Sequence, residues 1–335
     1  MKEICSQKAA EPPEDDGLTG DEWLTVASEV YGLTSPMLSE VRDHHSRHFF
    51  LGAEEGRYVL SRSRVQPDRM AKSYQFDLIR TLRSNGFRRA SLPVRTKIGS
   101  YCHLRRSSWW VLKRYTGCDS SASSSTPAAV AEAARVLAEL HRCGSGFPER
   151  LSQESDRDDL GAYYLPLIRW PDWSEDIASG FHWHELDGSN SSFVRSQLEL
   201  VQRETADIRS WCAAACALSI THQDYRPANL CFADETVREV WDFDMAVIDC
   251  CVSDVAFAAL QFGGRECLFP DASLELAGRF IREYIAASGI MDLQRESKIL
   301  RWFFAVTILR RLLLNYHAAE RIELLRLVLD ADWRL

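Results

Sequence analysis

Two short polar segments in the second half of the chain carry the residues best suited to chemistry. The first, residues 222–229, reads HQDYRPAN and places Asp224 five positions before Asn229. The second, residues 240–244, reads VWDFD and places Asp242 thirteen positions after Asn229. A carboxylate that orients a hydroxyl group, beside carboxylate and amide oxygens that suit Mg²⁺, is the set that phosphoryl transfer requires. The spacing therefore predicts a phosphoryl-transfer site.

Each polar residue of these segments has a predicted role. Asp224 is the expected base or orienter of the acceptor hydroxyl. Asn229 is the expected second catalytic residue of this loop and a ligand of the metal ion. Asp242 is the expected bridging metal ligand, and Asp244 is either a further metal ligand or a structural acid. The residues between Asn229 and Asp242 read as strand, turn and strand, which predicts a hairpin that carries both residues to the same end.

These segments resemble the motifs of a known enzyme group. HQDYRPAN, VWDFD and the segment SDVA at 253–256 are similar to the H-G-D-x-x-x-x-N, D-F-D/E and D-hydrophobic-A motifs of the aminoglycoside phosphotransferase, choline kinase and type II homoserine kinase family. Gln223 stands in place of the glycine. Residues 133–141 are similar to the A-x-x-L-A-x-L-H helix of that family, and residues 56–60 to its G-x-Y-V-L strand.

The resemblance implies an α+β, protein-kinase-like bilobal fold, with a small antiparallel-sheet N-lobe and a mainly helical C-lobe. It implies ATP or GTP as the phosphoryl donor, Mg²⁺ as the cofactor and a small-molecule hydroxyl as the acceptor. A protein kinase is a weaker alternative, because no A-P-E motif follows Asp242 and residues 246–253 form too short a segment to dock a peptide.

The predicted domain organisation has four parts. Residues 1–20 are polar and acidic and contain prolines, which predicts a disordered leader. Residues 21–117 form the predicted nucleotide-binding N-lobe, and residues 118–126, CDSSASSST, form a Ser-rich linker. Residues 127–335 form the predicted C-lobe, with the catalytic loop and the substrate site.

Hydrophobic periodicity predicts the elements of the N-lobe. They are a helix over 21–31, a hairpin over 48–62 that turns at 54–56, a helix over 68–84 that stops at Asn85-Gly86, and strands over 96–105 and 108–115. Together they predict a small antiparallel sheet of the five-stranded type.

Two features of the N-lobe concern the nucleotide. Backbone groups at Lys113, Arg114 and Tyr115 are expected to read the adenine edge where the last strand becomes a hinge. In the family a lysine follows the V-L strand and binds the α- and β-phosphates, but this chain has Ser61 there, followed by Arg62. Either Arg62 or Lys72 replaces the lysine, or the N-lobe binds nucleotide weakly.

The acidic partner of that lysine is also missing, because Gln75 stands where the family has a glutamate. The two losses together support a second hypothesis of a different class. The chain would then be a catalytically weak or inactive kinase-fold protein that binds a nucleotide, a metabolite or a protein partner.

The acceptor is indicated by the segment at 154–187, which holds nine Asp or Glu residues and two arginines among tyrosines and tryptophans. An acidic, aromatic surface suits a cationic amino alcohol or an aminoglycoside-like compound, through charge attraction and cation–π contact. The alternative is a solvated acidic loop whose aromatic residues pack in the core.

Composition narrows the class of protein further. The chain has 335 residues, of which 46% are hydrophobic, and a net charge of −8, which argues against a nucleic-acid partner. Arginines interrupt the most apolar run, 299–316, so a buried helix is expected there and no membrane span. The ten cysteines include no C-x-x-C pair, which predicts reduced thiols and a cytoplasmic location.

Overall fold

The computed structural model describes residues 22–43, 47–64, 73–117, 126–147, 186–215, 218–263, 274–289, 293–312 and 318–330. By its internal contacts the chain divides into two compact units. The first comprises Met1–Arg80 and Ala90–Cys118, and the second comprises Thr81–Arg89 and Asp119–Leu335. The predicted leader, nearly all of the Ser-rich linker and nearly all of the acidic segment at 154–187 lie outside the described residues.

The first unit is built around a five-stranded antiparallel sheet. Helix α1 (Glu22–Thr25) precedes it and continues as a π-helical turn over Val26–Val30. The strands are β1 (Met37–Asp43), β2 (Arg47–Ala53), β3 (Gly56–Arg64), β4 (His103–Arg105) and β5 (Ser108–Arg114), in the spatial order β1-β2-β3-β5-β4. The predicted sheet and its β2–β3 hairpin are confirmed.

The core of the first unit follows from the two-residue period of its strands. On β3 the side chains of Tyr58 and Leu60 are buried, and they lie opposite Leu51 and Phe49 of β2. On the other side of β3, Leu60 lies opposite Leu112 of β5. These buried residues cover one face of the sheet and form a single hydrophobic cluster with the segment at 26–33.

The strand predicted over 96–105 is wrong over its first seven residues, because strand β4 begins only at His103. The chain before it closes into a turn, in which the Thr96 amide donates to Ser100 O at 2.7 Å and the Gly99 amide donates to Thr96 O at 2.8 Å. Gly99 has φ of +86°, a conformation that glycine adopts without steric cost. Local hydrogen bonding therefore replaces strand pairing there.

The second unit is mainly helical. In the part of this unit that the structure describes, the helices after residue 126 are α3 (Pro127–Gly144), α4 (Gly188–Ala215), α5 (Cys251–Gly263), α6 (Leu274–Ser288), α7 (Leu293–Leu312) and α8 (Ala318–Asp330). Two small antiparallel strand pairs flank the segments that contain Asp224 and Asp242. They are β6 (Leu218–Thr221) with β9 (Val247–Cys250) and β7 (Leu230–Ala233) with β8 (Thr236–Val240). Helix α7 confirms the helix expected in the apolar run.

Helix α3 is fixed at both ends by specific residues. The Thr126 side chain accepts a hydrogen bond from the Ala129 amide at 3.2 Å, and Pro127 occupies the first turn, where it removes no helical bond. At the other end Gly144 lies against β6, where a Cβ atom would be 2.5 Å from Ser219 Oγ and 2.8 Å from Ile220 N. The close approach of α3 to β6 therefore requires glycine at 144.

The segment Thr81–Arg89 contains the end of helix α2 (Ser73–Ser84) and is packed within the second unit. Arg89 Nε donates to Val237 O at 3.0 Å, and its guanidinium forms an ion pair with Glu139. Asn85 Nδ2 donates to Cys143 O at 2.7 Å. These bonds join the segment to helix α3 and strand β8.

The prediction that all cysteines are reduced thiols is wrong for two of them. Cys231 on β7 and Cys250 on β9 are fully buried and are disulfide-bonded. Among the described residues, Cys102, Cys143 and Cys251 are free thiols. Spacing along the chain could not reveal this, because tertiary folding decides which sulfur atoms come into contact.

In the part of the chain that the structure describes, no helix is long and apolar enough to cross a bilayer.

Candidate active site

Asp224 and Asn229 are brought together by the loop that follows β6. The loop ends in a short 3₁₀ turn, Pro227–Asn229, directly before β7. Asn229 is buried, and its Nδ2 donates to the backbone oxygen of Asp224 and to Asp224 Oδ2, at 2.8 Å in each case. These two bonds hold the carboxylate in place and use the nitrogen of the amide, so its carbonyl oxygen is the atom that a cation could bind.

The β7–β8 hairpin returns the chain to this loop, as predicted. Its two-residue turn consists of Asp234 and Glu235, both with positive φ, the conformation that matches the twist of the paired strands. Beyond β8 the amide of Trp241 donates to Asn229 O at 2.8 Å. Asp242 is the next residue, exposed and with φ of +56°, so the hairpin places Asp242 beside the backbone of Asn229.

His222 links the two polar segments, a role that the sequence did not reveal. Its Nε2 donates to Trp241 O at 2.7 Å, and its Nδ1 accepts from the Asp224 amide at 3.3 Å. Phe243, buried after Asp242, packs on the His222 ring with centroids 4.8 Å apart. One imidazole therefore fixes the peptide before Asp242 and the peptide of Asp224.

Asp254, in the first turn of α5, bonds to the backbone of the loop at 222–229. Its Oδ2 accepts from the His222 amide at 2.6 Å, and its Oδ1 accepts from the Gln223 amide at 3.0 Å. Oδ2 also accepts from His141 Nε2 at 3.1 Å, and the other ring nitrogen of His141 lies 2.7 Å from the Tyr284 hydroxyl. The loop is thereby tied to α3, α5 and α6.

His141 and Asp254 form a fully buried ion pair. Burial alone would lower the pKa of His141, but Cys251 and the hydrogen bond to Asp254 outweigh it and raise the pKa to about 10. Burial would likewise raise the pKa of Asp254, but His141 lowers it to below its ordinary value. Both shifts indicate a charged pair at neutral pH, which costs much stability when one partner is removed.

Asp224 has a balanced electrostatic environment. Burial raises the pKa of its carboxyl above the ordinary value, and Arg226 and Asn229 oppose part of that rise. Arg226 Nε lies 3.2 Å from Asp224 Oδ2. Arg226 had no predicted role, although its position two residues after Asp224 was the available signal. A carboxylate with a raised pKa is a stronger base than an exposed one.

The donor atoms near this loop fit a hard cation. Asn229 and Asp242 offer amide and carboxylate oxygens, which Mg²⁺ prefers when phosphate oxygens and water complete its coordination. Asp244, the predicted further ligand or structural acid, is half-buried on the turn Phe243–Met245. The described residues contain no cluster of three His, Cys, Asp or Glu side chains able to hold a metal ion. A metal ion here would therefore need the oxygen of Asn229 and those of a bound phosphate.

In the first unit, Ser61 and Arg62 lie on opposite faces of β3. Ser61 lies opposite His48 of β2, with His48 Nδ1 and Ser61 Oγ 2.9 Å apart. Arg62 lies on the same face as Leu60, where its guanidinium is 5.6 Å from the Trp110 ring centroid and its Nε donates to Ser108 Oγ at 3.2 Å. The position of the family lysine is thus occupied by a serine bonded to a histidine.

Lys113, Arg114 and Tyr115 end the sheet of the first unit. Lys113 lies opposite Val59 on β3, and Arg114 opposite Tyr58. The Tyr115 amide donates to the backbone oxygen of Arg57 at 2.9 Å, which extends the pairing by one residue beyond β5. The predicted hinge residues thus form the end of a paired strand.

A cavity of about 610 Å³ lies between helices α4, α7 and α8 of the second unit. Phe193 and Trp302 give it apolar walls, and Arg326 lies over the Phe193 ring at 4.6 Å from its centroid. Glu204 and Lys298 form an ion pair at its edge. Its lining includes none of the residues that the sequence predicts to do chemistry.

The chain matches the model of the APH family, described as a phosphotransferase enzyme family, over residues 39–297. A homoserine kinase of Phenylobacterium zucineum strain HLK1 is 24% identical over 254 residues, which cover 75% of this chain and 70% of the relative. The family match includes the loop at 222–229, the β7–β8 hairpin and most of both units.

Solved structures share the fold at low sequence identity. A spectinomycin phosphotransferase in complex with ADP and spectinomycin has a TM-score of 0.59 and 13% identity, over 94% of this chain and 95% of that one. An amicoumacin kinase in complex with AMP-PNP and Ca²⁺ has a TM-score of 0.63 and 12% identity, over 93% and 94%. A microcompartment-associated aminopropanol kinase has a TM-score of 0.61 and 17% identity, over 91% and 94%. The protein-kinase-like α+β fold is therefore confirmed.

Proposed function

Because the chain belongs to the APH phosphotransferase enzyme family, we propose that it transfers the γ-phosphoryl group of ATP, or of GTP, to a hydroxyl group of a small molecule. The arrangement of Asp224, Asn229 and Asp242 supports this most strongly. The side-chain amide of Asn229 donates a hydrogen bond to the carboxylate of Asp224. The backbone oxygen of Asn229 accepts a hydrogen bond from the amide of Trp241, the residue directly before Asp242. Proton handling and cation binding are thus combined on one loop and one hairpin.

Asp224 acts on the acceptor in this proposal. The hydroxyl oxygen forms a bond to the γ-phosphorus, the bond from that phosphorus to the β,γ-bridging oxygen breaks, and the nucleoside diphosphate leaves. The hydroxyl proton passes to the carboxylate of Asp224, whose raised pKa favours its acceptance. Asn229 and Arg226 hold that carboxylate in position.

Mg²⁺, when bound, would neutralise charge on the phosphate oxygens. Asn229 and Asp242 are the proposed ligands, and Asp244 is a further candidate for ligation or for a structural bond. His222 positions Asp242 through the carbonyl of Trp241. The pair of His141 and Asp254 keeps the loop rigid from behind.

We propose a cationic amino alcohol or an aminoglycoside-like compound as the acceptor. The acidic, aromatic composition of residues 154–187 supports this class, although nearly all of that segment lies outside the described residues. The names of structurally similar proteins agree with it, since they include an aminopropanol kinase and a spectinomycin phosphotransferase. Homoserine, the substrate in the name of the homoserine kinase relative, has an ammonium group and a hydroxyl group, and it differs from this class by its carboxylate.

The nucleotide contacts are proposed in the first unit. Lys113, Arg114 and Tyr115 would read the adenine edge by backbone groups, and Arg62 would contact the phosphates after a rearrangement away from Trp110. The proposed cytoplasmic location rests on the need for a nucleoside triphosphate, because the disulfides of Cys231 and Cys250 do not support it.

A second candidate function is a kinase-fold protein that binds a nucleotide, a metabolite or a protein partner without turnover. The observation that favours it is Ser61, which is hydrogen-bonded to His48 where the family has a phosphate-binding lysine. A long cation at this position contributes both charge and reach, and a serine has neither.

A turnover screen separates the two candidates. Purified protein would be incubated with Mg²⁺ and ATP or GTP, together with amino alcohols, aminoglycosides, choline or homoserine, and the phosphorylated product would be detected by mass spectrometry. Phosphorylation of one acceptor that is lost in Asp224→Ala supports the enzyme. Nucleotide binding without any product across the panel would favour the binding protein.

A further inference from the structure

Gln223 lies between His222 and the predicted base Asp224, and its backbone has φ of +62°. Residues with a Cβ atom rarely adopt this left-handed conformation, and glycine adopts it readily. The motif that the loop resembles has glycine here. A glutamine at this position therefore needs an interaction that offsets its conformational cost.

The side chain of Gln223 makes that interaction with three elements. Its Nε2 lies 2.9 Å from Thr221 Oγ1 at the end of β6, and 3.0 Å from Ser253 Oγ in the first turn of α5. It also lies 3.3 Å from Asp249 Oδ2 on β9. One amide group thus joins the two strands and the helix that surround the base of the loop.

The hydroxyl groups around Gln223 are oriented to accept its hydrogens. Thr221 Oγ1 donates its own hydrogen to Val247 O at 3.1 Å, and Ser253 Oγ shares its single hydrogen between Cys250 O at 2.8 Å and Asp249 Oδ2 at 3.2 Å. Each hydroxyl oxygen then offers lone pairs to Nε2, and an amide nitrogen has two hydrogens to give. The two hydrogens of Nε2 thus face three acceptor atoms, Thr221 Oγ1, Ser253 Oγ and Asp249 Oδ2.

Two buried acidic residues, Asp254 and Asp249, also contact Gln223. Asp254 accepts from the amide of Gln223, while Asp249, almost fully buried, faces its side chain. Burial raises the pKa of Asp249 to about 8, so a neutral carboxyl is expected there at neutral pH beside the charged Asp254. The cluster can thus hold the glutamine amide without placing two like charges side by side.

We propose that Gln223 is a positioning residue, whose side-chain amide holds the catalytic loop in the left-handed turn that presents Asp224 to its substrate. Glycine permits this turn without holding it, whereas in this chain the bonds from Gln223 to Thr221 and Ser253 hold the turn in place. The inference concerns the site of the proposed phosphotransfer, but the bonds on which it rests lie within the second unit and do not depend on the identity of the acceptor.

Two variants separate the side-chain bonds from the backbone conformation. Gln223→Gly keeps the left-handed turn accessible and removes the amide, and Gln223→Met keeps the length of the side chain and removes its hydrogen-bonding groups. Asp234→Gly is the matched control, because Asp234 also has positive φ, at +48°, but lies exposed in the β7–β8 turn.

Hydrogen–deuterium exchange of the full chain, without ligand, measures the loop directly. We expect the amides at 222–225 to exchange about tenfold faster in both Gln223 variants, while peptides from α3 and α6 keep their wild-type rates. Asp234→Gly should leave the 222–225 region unchanged. Wild-type exchange at 222–225 in either Gln223 variant, or faster exchange spread evenly over the whole chain, would overturn the proposal.

Kinetics give a second readout, which rests on the proposed function. With Mg²⁺, ATP and an acceptor identified in the screen, Gln223→Gly should lower kcat about tenfold and leave the KM for ATP within about twofold. If the wild type phosphorylates no acceptor, the proposed function fails while the exchange result still decides the role of Gln223. Wild-type kcat in an active Gln223→Gly enzyme would contradict the positioning role.

Discussion

Replacement of Asp249 by asparagine should change how the stability of the protein depends on pH. The Asp249 side chain is 1% exposed, and burial raises the pKa of its carboxyl from 3.8 to about 8. Hydrogen bonds from the Cys250 amide and Ser253 Oγ oppose part of that rise, and the carboxylate of Asp254 adds to it. Asparagine has nearly the same shape and does not ionise, so the variant isolates the protonation of this one group.

The direction of the effect follows from proton linkage. Between about pH 4 and pH 8 the Asp249 carboxyl is ionised in the unfolded chain and protonated in the folded protein, so the folded state binds more protons. The free energy of unfolding of the wild type should therefore fall as pH rises, by at most about 1.4 kcal/mol per pH unit from this group. The difference between Asp249→Asn and wild type should thus grow by on the order of 4 kcal/mol from about pH 5 to pH 8.

The assay is urea-induced unfolding of both proteins at intervals between about pH 5 and pH 8. His141 also contributes a pH dependence, because stability from its raised pKa is complete below about pH 6.5 and is lost as pH rises through about 10. That contribution is present in both proteins and cancels in the difference. Ser253→Ala is the control, since it removes a hydrogen bond to Asp249 and keeps the carboxyl. A difference between Asp249→Asn and wild type that does not vary with pH would refute the reasoning.

Three further substitutions test other parts of the account. Asp224→Ala should lower kcat about 10²-fold with nearly unchanged nucleotide affinity, because the carboxylate acts on the acceptor; a loss of nucleotide affinity with intact kcat, measured by steady-state kinetics, would contradict that role. Arg62→Ala should raise the nucleotide KM about tenfold if its guanidinium contacts phosphate, and an unchanged KM would remove Arg62 from the site. Gly144→Ala should cost about 1–3 kcal/mol in urea-induced unfolding, because the added methyl group meets Ser219 Oγ and Ile220 N, and wild-type stability would show that the contact relaxes.

Local signals were sufficient to predict both hairpins. The β2–β3 hairpin turns at Glu54 and Glu55, and the β7–β8 hairpin turns at Asp234 and Glu235, each between strands with alternating apolar residues. The strand prediction over 96–105 was wrong in its first part, because hydrogen bonds between Thr96 and Ser100 close that segment into a turn.

The candidate site was predictable only in part. Asp224, Asn229 and Asp242 could be predicted because their residue types and spacing match a phosphoryl-transfer motif. The contacts of His222, Arg226 and His141 were not predicted, because they depend on residues from other elements or on the conformation of the loop. The same holds for the disulfides of Cys231 and Cys250, whose sequence spacing carries no pairing signal.

We propose that Asp242, with Asn229, holds the metal ion that a nucleotide requires. The most direct test is the thermal unfolding of wild type and Asp242→Asn with ATP, in the presence and absence of Mg²⁺. The control is Asp234→Asn, which makes the same substitution at an exposed residue of the β7–β8 turn. We expect Mg²⁺ and ATP together to raise the Tm of wild type and Asp234→Asn. We expect Asp242→Asn to lose that rise, while its Tm without ligand stays within a few degrees of wild type. An equal Mg²⁺-dependent rise in Asp242→Asn would contradict the claim.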